Sequence, residues 1–186
     1  ADWTSPRVRS QDPFFGSSFF RQQHPRESAC FFVDGGFRLP LSPGRYRLVV
    51  SKGLEYTPVE RTITVGDSRL DEIVTLARWV DMPARGWYSG DGHVHIERGS
   101  AAANADTLQW VAAEDVHVAN VLLMGDARQT YYPQYAFGPA GRAGKEGRWL
   151  VPGQEEPRTS YLGHTLHLNT AAELRDATNY YAYRPV

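Results

Sequence analysis

The segment from Val116 to Met124 is apolar at nearly every position. Such a run is typical of a strand buried on both faces, as in the parallel sheets of α/β proteins. It follows an alternating segment from Trp87 to Ile96 and a helical pattern over Asn104 to Glu114, for which Asn104 or Asp106 is the expected N-cap. Because strand, helix and strand follow one another, the sequence predicts a βαβ unit.

A different pattern precedes this unit. Short strand-like segments separated by turn residues cover Arg45 to Val50, Val59 to Val65 and Leu70 to Leu76. Strands at such close spacing favour a small antiparallel β-sandwich. The predicted fold class is therefore α+β and multidomain, with a β-sandwich-like domain over residues 1–80 and a (β/α) domain over residues 86–186.

The chain beyond Met124 gives weaker structural signals. Gln129 to Trp149 is rich in glycine and aromatic residues and is predicted to be a long loop. Its aromatic side chains, Tyr132 and Tyr135 among them, suit either the wall of an apolar substrate pocket or the anchor of a flap. Tyr161 to Thr170 is expected to supply another strand.

Composition excludes several classes of protein. The chain has 20 Lys and Arg against 21 Asp and Glu, whereas a nucleic-acid partner requires a clustered basic excess. No apolar run approaches the roughly 20 residues that span a bilayer, so no membrane partner is expected. Cys30 is the only cysteine, which excludes cysteine zinc sites. A lone cysteine is compatible with an oxidising compartment, and a periplasmic or secreted location is favoured over a cytoplasmic one.

Two pairs of histidines stand out, His93 with His95 and His164 with His167. On a strand, His93 and His95 project from the same face with Cα atoms about 6.6 Å apart, close enough to converge on one metal ion. This spacing alone also fits polar side chains with no metal role, so it leaves both interpretations open.

Carboxylates near these histidines favour the metal interpretation. Asp91 lies two residues before His93 and could orient an imidazole by accepting its second N–H. Asp126 follows the predicted strand Val116 to Met124, and ligand crevices in α/β sheets open at the carboxyl ends of strands. Glu155 precedes His164 by nine residues in a turn-like setting.

The run Gly86-Trp87-Tyr88-Ser89-Gly90-Asp91-Gly92-His93-Val94-His95 resembles the first motif of the polymerase-and-histidinol-phosphatase (PHP) superfamily. It is most similar to the CehA/McbA branch of PHP-like metal-dependent hydrolases, which is named for aryl-carbamate hydrolases. The segment from Pro43 to Trp79 resembles the β-sandwich that often precedes that catalytic domain.

The resemblance implies a metal site and a reaction. It makes His93, His95, Asp126, Glu155 and His164 metal ligands, with Glu155 bridging the ions, and gives Asp91 and Glu155 catalytic roles. Two or three zinc, manganese or iron ions would generate hydroxide and cleave a phosphoester, carbamate, ester or amide of a small-molecule substrate.

Chain length and motif content leave a second interpretation open. About 100 residues follow Gly86, whereas a complete (β/α) barrel typically needs about 250. The barrel is therefore expected to be incomplete and the chain truncated, and the ligands that the family draws from its last third have no counterpart here. The alternative function is a non-catalytic module, in which the β-sandwich binds a glycan or a protein and the barrel is a remnant.

Overall fold

The computed structural model describes residues 33, 35–125, 130–159 and 163–174. It is a mixed α+β structure with two sheets, and its contacts divide the chain into two compact units, Ala1–Val80 and Asp81–Val186. The described elements are β1 (Gly44–Val50), β2 (Val59–Val65), β3 (Gly90–Val94), α1 (Ala103–Ala113), β4 (Val118–Leu123), β5 (Ala143–Lys145), β6 (Arg148–Thr159) and β7 (Gly163–His167), with 3-10 turns at Pro83–Arg85 and Gly138–Gly141.

The first unit contains an antiparallel pair of strands. β1 and β2 pair along their full length, starting with Gly44 opposite Val65. The predicted third strand over Leu70 to Leu76 is wrong, because the sheet in the described part of this unit has two strands. In that segment the carbonyl of Ile73 accepts a hydrogen bond from the Arg61 guanidinium (3.2 Å). The described residues thus form a hairpin-like sheet rather than a sandwich.

The described residues of the second unit form a five-stranded sheet with the order β3-β4-β6-β5, in which β7 also pairs with β6. The β3–β4 and β4–β6 pairs are parallel, whereas β5 and β7 run antiparallel to β6. The sheet curls into half a barrel. The predicted parallel strand–helix–strand unit is therefore confirmed, whereas the assignment of the sheet to an incomplete PHP-type barrel stays a prediction.

Helix α1 covers one face of this sheet. Its Leu108 and Val111 pack against Ala119 and Val121 of β4 and Leu150 of β6, and these five residues form a buried hydrophobic cluster. Burial of apolar side chains at helical spacing explains why this segment is helical. No helix in the described ranges is long and apolar enough to cross a membrane.

The predicted N-cap of α1 is wrong. The helix begins at Ala103 and its N-cap, Ala102, makes no capping hydrogen bond through its side chain. Asn104 uses its amide elsewhere, since its oxygen accepts from Arg98 Nε (3.1 Å) and its nitrogen donates to the Tyr135 hydroxyl (3.0 Å). A tertiary contact thus competes with local capping for this side chain.

Strand β6 is the largest departure from the sequence prediction. It begins within the predicted loop Gln129 to Trp149, which also contains β5, and it places Glu155 inside a strand rather than in a turn. Pro152 and Gly153 are turn signals in sequence, but here they pair in parallel with β4. Gly153 is needed because a Cβ there would lie 2.5 Å from the carbonyl oxygen of His167 on the neighbouring strand.

Gly141 gives a first testable consequence of this packing. A Cβ at Gly141 would overlap the carbonyl oxygen of Ala136 and lie 2.9 Å from Cγ of Pro152. Gly141→Ala is therefore expected to destabilise the protein by about 1–3 kcal/mol, measured by urea unfolding. Gly99→Ala is the control, because a Cβ at Gly99 meets nothing within 4 Å. Equal free energies of unfolding for the two variants would show that the loop around Gly141 shifts to accommodate the added methyl group without loss of stability.

Candidate metal centre

Polar side chains meet near the carboxyl ends of the parallel strands β3 and β4. His93 lies near the end of β3 and His95 just after it. On β6, Glu155 follows Gln154, which is paired with Leu123 at the end of β4. This is the edge of the sheet at which α/β proteins bind their ligands.

The end of β3 that carries the two histidines is irregular. The pairing of β3 with β4 shifts register between Asp91 and Val94, so regular alternation is interrupted there. The Asp91 carboxylate accepts a hydrogen bond from the backbone N–H of His93 (2.9 Å). Its described contact is thus with the main chain of His93, and it holds the irregular segment that carries the two imidazoles.

His93, His95 and Glu155 place three ligand atoms in a compact triangle. The two Nε2 atoms are 3.0 Å apart, and Glu155 Oε2 is 3.3 Å from that of His93 and 2.8 Å from that of His95. Four-coordinate zinc with bonds of about 2.0–2.1 Å holds its ligand atoms roughly 3.3 Å apart. The cluster could therefore hold a metal ion.

His164 approaches the same carboxylate from the other side. Its Nδ1 is 2.5 Å from Glu155 Oε1, whereas His93 and His95 contact Oε2. The antiparallel pairing of β6 and β7 brings this histidine in, with Leu166 opposite Glu155. Each oxygen of Glu155 thus faces at least one imidazole.

The carboxylate is buried, whereas its three histidines are partly exposed. The side chain of Glu155 is 2% exposed, against 49% for His93, 19% for His95 and 48% for His164. His95 makes two further contacts: its Nδ1 lies 3.4 Å from the carbonyl oxygen of Leu122, and its ring stacks on Tyr132 with centroids 5.1 Å apart. A hydrogen bond at Nδ1 directs Nε2 toward the carboxylate.

The electrostatics favour an ionised carboxylate beside a neutral imidazole. Burial lowers the pKa of His95, against the opposing charge of Glu155, and so favours the neutral form that binds metal. Burial by itself would raise the pKa of Glu155, but the hydrogen bond from His93 and the attraction of the His95 and His164 imidazoles in their protonated forms outweigh it. The Glu155 pKa therefore lies below its usual value.

The other candidates from the sequence are Asp126 and His167. Asp126 falls outside the described residues, although the flanking Gly125 and Thr130 pair with each other. His167 directs its Nε2 to the carbonyl oxygen of Glu156 (2.6 Å) rather than to the cluster. The sequence places Tyr132 only in the aromatic loop, and no sequence signal marks it as the residue that stacks on His95.

A cavity of about 480 Å³ lies away from the cluster. It is at the opposite end of β4 and β6 from Glu155, and it is lined by Val118, Asn120, Arg142, Trp149, Val151 and Asn169. The cavity therefore contributes nothing to the candidate metal site.

Comparisons with protein-family models, with curated proteins and with solved structures find no match to this chain. The assignment of a function consequently depends on the geometry of the cluster and on the sequence motif around His93.

Proposed function

We propose that this chain carries the metal centre of a metal-dependent hydrolase of the PHP-like type, in the CehA/McbA branch. The observation that supports it best is Glu155, a buried carboxylate that faces His93 and His95 with one oxygen and His164 with the other. A carboxylate shared in this way suits a centre of two or more ions, with zinc, manganese or iron as candidates.

His93, His95 and Glu155 would hold one ion, and Glu155 with His164 would contribute to a second. When bound, such ions polarise a phosphoryl or carbonyl oxygen and generate a nucleophile from water near neutral pH. Glu155 supplies the negative charge that offsets the cations. His93 and His164 are each half exposed, so the cluster is accessible to a phosphoester, carbamate, ester or amide substrate.

Metal content and hydrolysis test this proposal together. The purified protein is expected to contain divalent metal and to cleave at least one of an aryl phosphate, an aryl carbamate or an aryl ester. Chelator should abolish the cleavage and added metal should restore it. His93→Ala is expected to lose most of the bound metal, because it removes one corner of the ligand triangle.

His117→Ala is the matched control. This histidine contacts Ser89, which directly precedes β3 at the opposite end of the strand from His93, so its replacement should leave the metal content unchanged. Full metal content in His93→Ala would refute the assignment. Stoichiometric metal without cleavage of any substrate would instead favour the alternative, a non-catalytic binding module.

A further inference from the structure

Arg98 is a fully buried cation that lies just beyond His95 in the chain. Its guanidinium donates to the side-chain oxygens of Asn104 (3.1 Å) and Gln134 (3.3 Å) and to the carbonyl of Gly141 (2.8 Å). No described carboxylate is paired with it. A buried charge without an opposite charge lowers the stability of the folded protein, and an apolar residue in the same space would not. We therefore expect the hydrogen bonds of Arg98 to have a role other than stability.

The main chain reinforces the same contact. Arg98 N–H donates to the carbonyl of Pro133 (2.8 Å), and Tyr135 N–H donates to the carbonyl of Arg98 (2.7 Å). These two hydrogen bonds hold the residues on either side of Gln134 beside Arg98, and so beside the segment that follows β3.

Gln134 connects Arg98 to two residues that adjoin His95. With its oxygen engaged by Arg98, its nitrogen donates to the carbonyl of Ile96 (3.0 Å) and lies 3.5 Å from the carbonyl of Tyr132. Ile96 follows His95 directly, and the ring of Tyr132 stacks on the imidazole of His95. One carboxamide therefore holds both the main chain next to His95 and the residue that packs against its ring.

We propose that Arg98 and Gln134 are positioning residues of the metal centre, which orient His95 through the Ile96 carbonyl and the Tyr132 ring. The proposal rests on the metal site proposed above. Groups that orient a metal-bound histidine typically change metal affinity by 10- to 100-fold when they are replaced.

Gln134→Glu separates positioning from folding. The new carboxylate still accepts from Arg98 and pairs with its charge, so the variant is expected to stay folded. It cannot donate to the carbonyls of Ile96 and Tyr132. We expect about tenfold weaker Co²⁺ binding with an altered visible d–d spectrum, and shifted NMR signals of the His95 ring in the metal-free protein.

Asn104→Asp is the matched control. It makes the same amide-to-carboxylate change on the same guanidinium, but Asn104 contacts Tyr135 rather than Ile96 or Tyr132. Its Co²⁺ affinity and His95 signals should match those of the wild type. The proposal is overturned if Gln134→Glu leaves both readouts unchanged, or if Asn104→Asp changes them equally.

The proposal can also be tested if the wild-type protein binds no Co²⁺ or if Gln134→Glu does not fold. If the wild-type protein binds no Co²⁺, the proposed function fails, and the His95 signals of the metal-free variants alone decide the positioning role. If Gln134→Glu does not fold, Tyr132→Leu takes its place, with Tyr132→Phe as the variant that retains the stacked ring. Equal His95 signals in these two variants would then overturn the proposal.

Discussion

Replacing Glu155 by glutamine is expected to weaken Zn²⁺ binding by about 100-fold or more, a larger loss than outer-sphere changes produce. Glutamine has nearly the same volume, so the buried position stays filled. It carries no negative charge, however, and it offers one oxygen where the carboxylate offers two. Because Glu155 contacts His93, His95 and His164, its loss affects both sides of the cluster at once.

Competition with a chromophoric chelator measures the change directly. Glu114→Gln is the control, because Glu114 is an exposed carboxylate at the end of α1 and should retain wild-type affinity. Far-UV circular dichroism in the presence of EDTA should show that both variants are folded. Wild-type affinity in folded Glu155→Gln would remove this residue from the centre and, with it, the main support for the proposed function.

Leu150→Ala is expected to give the largest loss of stability, about 2–5 kcal/mol. Leu150 is fully buried on β6, with Ala119 of β4 and Ala143 of β5 as its neighbours in the sheet. It packs against α1 in the core cluster. Its small neighbours cannot fill the space that the deleted atoms leave, so a cavity would remain between helix and sheet.

Urea unfolding followed by far-UV circular dichroism tests this prediction. Leu168→Ala makes the same change in the same unit at a side chain that is 49% exposed, and it should cost less than about 0.5 kcal/mol. A loss below 1 kcal/mol in Leu150→Ala would mean that the core relaxes around the cavity. It would also mean that β6, which carries Glu155, depends less on α1 than its packing implies.

The elements that sequence predicted well are those with a strong local pattern. Leu108 and Val111 recur at helical spacing and lie on the buried face of α1, within one residue of the predicted bounds at each end. The apolar run around β4 is a central parallel strand, as its composition indicates. Both predictions depend on periodicity and burial, which a short window of sequence contains.

The elements that sequence predicted poorly depend on partners far along the chain. Leu70 to Leu76 has the composition of a strand, but no described strand pairs with it. β6 contains Pro152 and Gly153, which are local turn signals, and it is nevertheless the longest described strand. Pairing with β4 on one side and with β5 and β7 on the other outweighs these signals.

Sequence by itself determined the parallel strand–helix–strand unit and marked His93, His95, Glu155 and His164 as candidate ligands, since residue type and spacing carry that information. Only the tertiary structure decided that Glu155 is a buried strand residue whose two oxygens face different histidines. It also decided that Tyr132 stacks on His95 and that Gln134 connects Arg98 to the carbonyl of Ile96. The register between distant strands sets these contacts, and register is fixed by the packing of the whole sheet rather than by any local segment.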